Sequence, residues 1–132
     1  MAADPPTRVF LCDDVAEMRL LMRLTLEEEP GFEIAGEADN GTSALAAIPE
    51  SKPHVVLLDL SMPGMGGLEL IPRLRRLVPA TGIVVYSAFA TPRIEAQALA
   101  SGADRYLKKG APLERLREVT TEVAQERAGP GD

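Results

Sequence analysis

Four short apolar segments of this sequence end in side chains that can bind a cation or a phosphate. Asp13 and Asp14 follow the first segment, Asp59 follows the second, Ser87 the third and Lys109 the fourth. If the segments are parallel strands of one sheet, their carboxyl ends lie along one edge and bring these groups together. A carboxylate nucleophile, cation ligands, a hydroxyl and an ammonium are what phosphoryl transfer to an aspartate requires.

The three carboxylates also predict a metal site. They repel one another unless they are partly protonated, exposed or bound to a cation. Oxygen ligands favour Mg²⁺ or Ca²⁺ over zinc, and one His and one Cys cannot build an ordinary zinc site. Mg²⁺ usually takes a few protein oxygens together with phosphate oxygens, so we expect a magnesium site that a phosphoryl group completes.

Composition narrows the class of protein. The chain of 132 residues is 45% hydrophobic and carries a net charge of −6, which indicates one globular domain and disfavours non-specific binding to nucleic acid. A lone cysteine, Cys12, inside an apolar run is typical of a cytoplasmic protein. The sequence has no apolar run long enough to span a membrane and no signal-peptide pattern at its start, so we expect no membrane association.

The elements that must position the reactive groups alternate along the chain. The apolar runs predict strands at 8–12, 32–38, 54–59, 82–87 and 104–108. Helical spacing predicts helices at 15–29, about 42–48, 68–78, 91–102 and from Pro112 onward. Five strands alternating with five helices predict a doubly wound α/β fold, a parallel sheet with helices on both faces.

Several local features refine this prediction. Asp14 and Glu17 resemble a capping box, and Gly36 suggests that the second strand lies near an edge. Pro72 falls inside a helical pattern, which predicts a kink or a late helix start. The helix at 91–102 is rich in alanine and should pack weakly. One common strand order, 2-1-3-4-5, places its ligand between strands one and three, where the three aspartates fall.

These residues, in this order, resemble the receiver domain of two-component response regulators. The matching motifs are Asp13-Asp14, Asp59 followed by Met62-Pro63-Gly64, Ser87-Ala88, and Gly102-Ala103-Asp104 leading to Tyr106 and Lys109. The resemblance covers about residues 8–125 and implies the flavodoxin-like (βα)5 three-layer sandwich. The segment 32–41 and the Lys-Gly pair look most like the subfamily with a helix-turn-helix DNA-binding output.

The resemblance implies a role for each site residue. Asp59 is the phosphoacceptor, and Asp14, Asp59 and the backbone carbonyl of Ser61 bind Mg²⁺ directly. Asp13 contacts the metal largely through water. Ser87 and Lys109 contact the phosphoryl group, and Tyr106 with Ser87 forms the switch.

The resemblance also implies which partners the protein has and which reactions it carries out. A histidine kinase supplies the phosphoryl group, homodimers are possible, and DNA is contacted only through an output domain outside this sequence. We expect a signalling domain limited to phosphoryl self-transfer and slow autodephosphorylation, not an enzyme. The expected receiver spans 8–126, between a flexible segment at 1–7 and a tail or linker start at 127–132.

The sequence departs from the family pattern at two positions. Gly110 stands where the family often has a proline in a cis bond, which leaves the conformation of the 109–111 loop open. Gly66 stands where an aspartate is common.

Other interpretations compete with this one. Asp14 alone is typical of a helix cap, Tyr106 of ordinary core packing, and Lys108 competes with Lys109 for the phosphate-facing role. A phosphorylation-independent receiver-like interaction module is the main alternative function. A magnesium-dependent phosphatase is disfavoured because Ser61 stands where such enzymes usually carry a second aspartate.

Overall fold

The structure, a computed structural model, describes residues 5–88 and 91–128. Its strands are β1 Thr7–Cys12, β2 Phe32–Ala38, β3 Val55–Leu58, β4 Gly82–Ser87 and β5 Arg105–Lys108. Its helices are α1 Ala16–Glu27, α2 Gly41–Ser51, α3 Gly67–Leu77, α4 Pro92–Ser101 and α5 Leu113–Ala128. The five strands are parallel and lie in the order β2-β1-β3-β4-β5, which confirms the predicted doubly wound α/β fold.

Alternation along the strands divides the core into two layers. Phe10 and Cys12 of β1 face one buried cluster, together with residues of α2, α3 and α4. Val9 and Leu11 face the other cluster, together with residues of α1 and α5. Successive strand side chains point to opposite faces, and each fully buried Leu, Val, Ile or Phe contributes roughly 1.5–3 kcal/mol. Both sheet faces are therefore covered, and only the strand ends remain for chemistry.

The second strand lies at the edge of the sheet, as Gly36 indicated. The pairing of β1 with β2 shifts register between Val9 and Phe10. A Cβ atom added at Gly36 would lie 2.8 Å from the ring of Phe10, so only glycine lets that ring approach the strand. Helix α4 has one buried residue, Ala98, which confirms its predicted weak packing.

Two helices, α2 and α3, contain a proline in their interior. Helix α3 begins at Gly67, before Pro72, so of the two predicted alternatives, a kink or a late helix start, the late start is wrong. Leu70, Ile71 and Leu74 are buried and anchor the helix on both sides of the proline.

Helix α2 continues through Pro49 to Ser51, beyond the predicted end near residue 48. The Ser51 hydroxyl donates to the carbonyls of Ala47 and Ile48, at 2.8 and 3.2 Å. It thereby gives carbonyls of the last turn a partner.

The regular elements also extend slightly past the predicted limits of the domain. Thr7 belongs to β1, and α5 includes Arg127 and Ala128, which sequence reasoning assigned to a tail. Arg127 is fixed there by Asp104, whose Oδ1 lies 2.6 Å from its Nη2.

Candidate functional site

The site is built at the carboxyl ends of the two central strands. Cys12 and Leu58 are register partners in β1 and β3, and the Asp59 amide donates to the Cys12 carbonyl at 2.9 Å. The next residue of each strand is therefore an aspartate at the same level. The side chains of Asp13 and Asp59 are 1% and 2% exposed, so both carboxylates lie below the protein surface.

Asp14 completes an acidic trio from an exposed position. One carboxylate oxygen from each of Asp13, Asp14 and Asp59 lies within 4.8 Å of the others. Within the described part of the chain, Asp14 makes no hydrogen bond or ion pair through its side chain. Its position is therefore set by its backbone.

The predicted capping box at the start of α1 is wrong. Val15, not Asp14, occupies the N-cap position. The Val15 amide donates to Asp13 Oδ1 at 2.9 Å, so the carboxylate of Asp13 closes the turn that precedes the helix. Asp14 is left with no capping role.

Lys109 provides the positive charge of the site. Its Nζ lies 2.7 Å from Asp13 Oδ2 and 3.7 Å from Asp59 Oδ2. The Lys109 amide donates to the Ser87 carbonyl at 2.9 Å, which fixes the residue at the end of β5. Lys108 is exposed, so the structure brings Lys109 and not Lys108 to the carboxylates. The ammonium also lies 5.9 Å from the ring centroid of Tyr86, within range of a cation–π interaction.

The loop that follows Lys109 requires glycine. Gly110 has a φ of +105°, in the region that side chains rarely adopt. The Ala111 amide donates to the Lys108 carbonyl at 3.2 Å and tightens the turn. The departure from the family's usual proline therefore gives a compact glycine turn that still presents Lys109.

Ser61 contributes more than the backbone carbonyl that the family resemblance implied. Its hydroxyl lies 3.1 and 3.2 Å from the two carboxylate oxygens of Asp59, and its amide lies 3.4 Å from Asp59 Oδ1. Ser61 thus orients the Asp59 carboxylate in this structure. Sequence reasoning missed this hydroxyl contact; the spacing of two residues after an aspartate, which favours such local bonds, could have indicated it.

The two residues assigned to the switch lie next to each other. Ser87 is fully buried at the end of β4. The hydroxyl oxygen of Tyr106 is also buried. Burial raises the pKa of Tyr106, the neighbouring Ser87 opposes this effect, and the charges of Glu95 and Asp59 add to it. The tyrosine hydroxyl therefore faces the site and not the solvent.

The donor set suits a hard divalent cation. Three carboxylates face one ammonium, which leaves an excess of negative charge that a cation would neutralise. All the ligands on offer are oxygens, which Mg²⁺ and Ca²⁺ prefer. Cys12 lies beneath the site, but it is fully buried, and burial together with Asp13 raises the pKa of its thiol.

Comparison with known proteins agrees with the fold. The response regulator receiver domain family matches residues 9–121. The chain belongs to this family.

Individual relatives place the chain within the family. The chemotaxis protein CheY of Thermotoga maritima is 32% identical over 118 residues, with 89% of this chain and 98% of CheY covered. The nitrate/nitrite response regulator protein NarL of Escherichia coli K12 is 33% identical, with 94% of this chain and 57% of NarL covered. The chain thus spans nearly all of one relative and about half of the other.

Solved structures show the same architecture. The signal receiver domain of a NarL response regulator from Mycobacterium tuberculosis superimposes with a TM-score of 0.88 at 31% identity, covering 92% of this chain and 98% of that one. A DNA-binding response regulator of the LuxR family from Staphylococcus aureus gives 0.83 at 30% identity, covering 89% and 98%. Across residues 5–88 and 91–128, no helix is both long and apolar enough to cross a membrane.

Proposed function

We propose that this receiver domain is switched by transfer of a phosphoryl group from a histidine kinase to Asp59 in a magnesium-dependent reaction. The proposal rests on the groups that surround the Asp59 side chain. Its carboxylate lies at the end of a buried central strand, 3.7 Å from the ammonium of Lys109 and grouped with two further carboxylates. Of the three aspartates, Asp59 alone belongs to the turn that follows β3, in the middle of the sheet.

In the proposed reaction a carboxylate oxygen of Asp59 attacks the phosphorus of a phosphohistidine. The new oxygen–phosphorus bond forms as the phosphorus–nitrogen bond breaks, and the imidazole leaves with the electron pair of that bond. Asp13, Asp14, Asp59 and the Ser61 carbonyl would hold Mg²⁺. When bound, that ion would supply charge neutralisation for the phosphoryl oxygens. Lys109 exchanges its contact with Asp13 for one with the phosphoryl oxygens, and the Ser87 hydroxyl donates to another.

The phosphoryl group changes the surface that the domain presents. It adds charge and acceptor oxygens beside Ser87, so that Ser87 moves toward it and Tyr106 follows. Weakly packed α4 and the adjoining β5 carry the change outward, because Ala98 is the one buried residue of α4.

The proposed setting is cytoplasmic signalling. The receiver unit, about residues 8–126, controls transcription through an output domain outside this sequence, as the name of the Staphylococcus aureus DNA-binding response regulator suggests. DNA is contacted only through that domain. We also propose that two copies of the receiver can pair as a homodimer.

Mass spectrometry of the intact protein tests the chemistry directly. The protein is incubated with Mg²⁺ and acetyl phosphate, with an EDTA sample alongside. We expect wild type to gain one phosphoryl group, Asp59→Asn to gain none, and Asp39→Asn, which removes an exposed carboxylate at the end of β2, to behave as wild type. Stoichiometric labelling of Asp59→Asn would overturn the assignment. A wild type that takes no phosphoryl group and binds no Mg²⁺ would be the phosphorylation-independent interaction module.

A further inference from the structure

Arg19 reaches back from the first turns of α1 to the acidic turn. Its Nη1 donates to the carbonyl oxygen of Asp13 at 2.7 Å, and its Nε donates to Glu37 Oε1 at 3.0 Å. The Arg19 side chain is 20% exposed, so it lies mostly under the surface between α1 and β2. Arg19 thus ties the backbone at Asp13 to the edge strand of the sheet.

The carbonyl that Arg19 holds belongs to the peptide unit that joins Asp13 to Asp14. The orientation of this peptide plane determines where Asp14 projects. Since Asp14 forms no side-chain hydrogen bond or ion pair within the described residues, its backbone alone directs its carboxylate toward Asp13 and Asp59. An anchor on this peptide is therefore an anchor on Asp14.

We propose that Arg19 is a positioning residue for the metal site: by fixing the Asp13–Asp14 peptide, it holds the Asp14 carboxylate in place to bind Mg²⁺. The proposal rests on the proposed function, because it takes the acidic trio to be a magnesium site. Arg19 suits this task because its planar fork binds two acceptors at once in fixed directions.

The direction of the change in Mg²⁺ affinity distinguishes a positioning role of Arg19 from an effect of its charge alone. Arg19 is a cation beside a cation site, so its removal would strengthen Mg²⁺ binding if charge alone mattered. Loss of the anchor weakens binding instead, because Asp14 is then free to leave the trio. A weaker affinity in a variant that has lost a positive charge is therefore a signature of positioning.

The chain offers a matched control in Arg23. It lies one helical turn further along α1 and forms an ion pair with Oε2 of the same Glu37, but it does not contact Asp13. Arg23→Gln removes the same charge and one bond to the same carboxylate. It leaves the Asp13 carbonyl bound to Arg19.

Calorimetric titration with Mg²⁺ at constant ionic strength tests the proposal. We expect Arg19→Gln to raise the dissociation constant about tenfold, as loss of a group behind a metal ligand does, Arg23→Gln to leave it nearly unchanged, and Arg19→Lys to fall between. An Arg19→Gln protein that binds as tightly as wild type, or an equal loss in Arg23→Gln, would overturn the proposal. If Arg19→Gln does not fold, Arg19→Lys against Arg23→Lys decides by the same criterion.

A second measurement needs no metal. Without Mg²⁺, backbone amide exchange at Val15, whose N–H donates to Asp13 Oδ1, should be faster in Arg19→Gln than in wild type or Arg23→Gln, because the turn has lost its anchor; equal rates would contradict the inference. A wild type that binds no Mg²⁺ would refute the magnesium part of the proposed function. Exchange rates would then still show whether Arg19 fixes the turn.

Discussion

The ammonium of Lys109 lies 2.7 Å from Oδ2 of Asp13, a residue 96 positions earlier in the chain. This contact joins the loop after β5 to the loop after β1, although two strands, β3 and β4, lie between β1 and β5 in the sheet. The Asp13 carboxylate is almost wholly buried, and its other oxygen accepts from the Val15 amide. Lys109 is thus a structural counter-ion before any phosphoryl group arrives.

The first prediction concerns this counter-ion. Lys109→Met should lower the free energy of unfolding in metal-free protein by about 3 kcal/mol, because it leaves a buried carboxylate without its charged partner. Urea denaturation followed by circular dichroism measures the change. Lys108→Met is the control, since the neighbouring lysine is exposed and should cost almost nothing. Equal losses in the two variants would show that the Asp13 contact contributes no stability.

The meeting of the reactive groups at one edge of the sheet could be predicted from the sequence for a simple reason, whereas the strand order came from a common α/β arrangement and from the family resemblance. Each group follows an apolar run, and parallel strands bring their carboxyl ends to one edge of the sheet. Given the order 2-1-3-4-5, Asp13 and Asp59 lie at neighbouring strand ends whatever the detailed loop geometry. Alternation separates Lys109 from Lys108, and the family resemblance, through the spacing from Tyr106, favoured Lys109.

Contacts that depend on side-chain reach could not be predicted in this way. The sequence makes Asp14 a good cap candidate, but in the structure the Asp13 carboxylate takes the Val15 amide instead. Nothing in the helical spacing of Arg19 indicates that its guanidinium bonds the Asp13 carbonyl, because that contact depends on the direction of the loop before the helix. Tertiary burial likewise carries α3 past Pro72 against its local preference.

The second prediction concerns the opposite end of the sheet. The Asp104 carboxylate accepts from Arg75, from Arg127 and from the Ile83 amide, and it is only 14% exposed. Burial lowers the pKa of Arg75, and the charge of Asp104 opposes that effect. Asp104 thus ties α3, α5 and β4 together.

Asp104→Ala should reduce the free energy of unfolding by about 3 kcal/mol, because two partly buried guanidinium groups lose their counter-ion. Thermal and urea unfolding measure this loss. Glu33→Ala is the comparison, because it removes an exposed ion pair: the Glu33 side chain is 50% exposed and that of its partner Arg8 is 36% exposed. Exposed pairs contribute about 0–1 kcal/mol. A loss at Asp104 no larger than that at Glu33 would contradict the prediction.

The third prediction tests the packing of α5 on the sheet. A Cβ atom at Gly82 would lie 2.3 Å from Val123 Cγ1, closer than any real contact allows. Gly82→Ala should destabilise the domain by about 1–3 kcal/mol, because α5 must move away from β4. An added Cβ at Gly31 would meet no atom within 4 Å apart from those of its chain neighbours, so Gly31→Ala should leave the unfolding midpoint nearly unchanged. Equal midpoints for the two variants would show that α5 adjusts without cost.

The last prediction concerns the pH dependence of stability that Tyr106 contributes. Burial raises its pKa in the folded protein, the neighbouring Ser87 opposes this, and the charges of Glu95 and Asp59 add to it. Below the ordinary tyrosine pKa of about 10, both folded and unfolded states keep the phenol neutral. Above it the unfolded state ionises first, so the free energy of unfolding falls as pH rises toward the folded-state pKa.

Tyr106→Phe removes this ionisation and keeps the ring. The stability of wild type relative to Tyr106→Phe should therefore decline between about pH 9 and 11, which urea denaturation at a series of pH values measures. Absorbance titration of tyrosinate in a Tyr86→Phe background reports the folded-state pKa of Tyr106 directly, since the chain has two tyrosines. Two results would mean that the Tyr106 hydroxyl lies in solvent and not against Ser87. One is a stability difference between wild type and Tyr106→Phe that is constant with pH, and the other is a Tyr106 pKa at the ordinary tyrosine value of about 10.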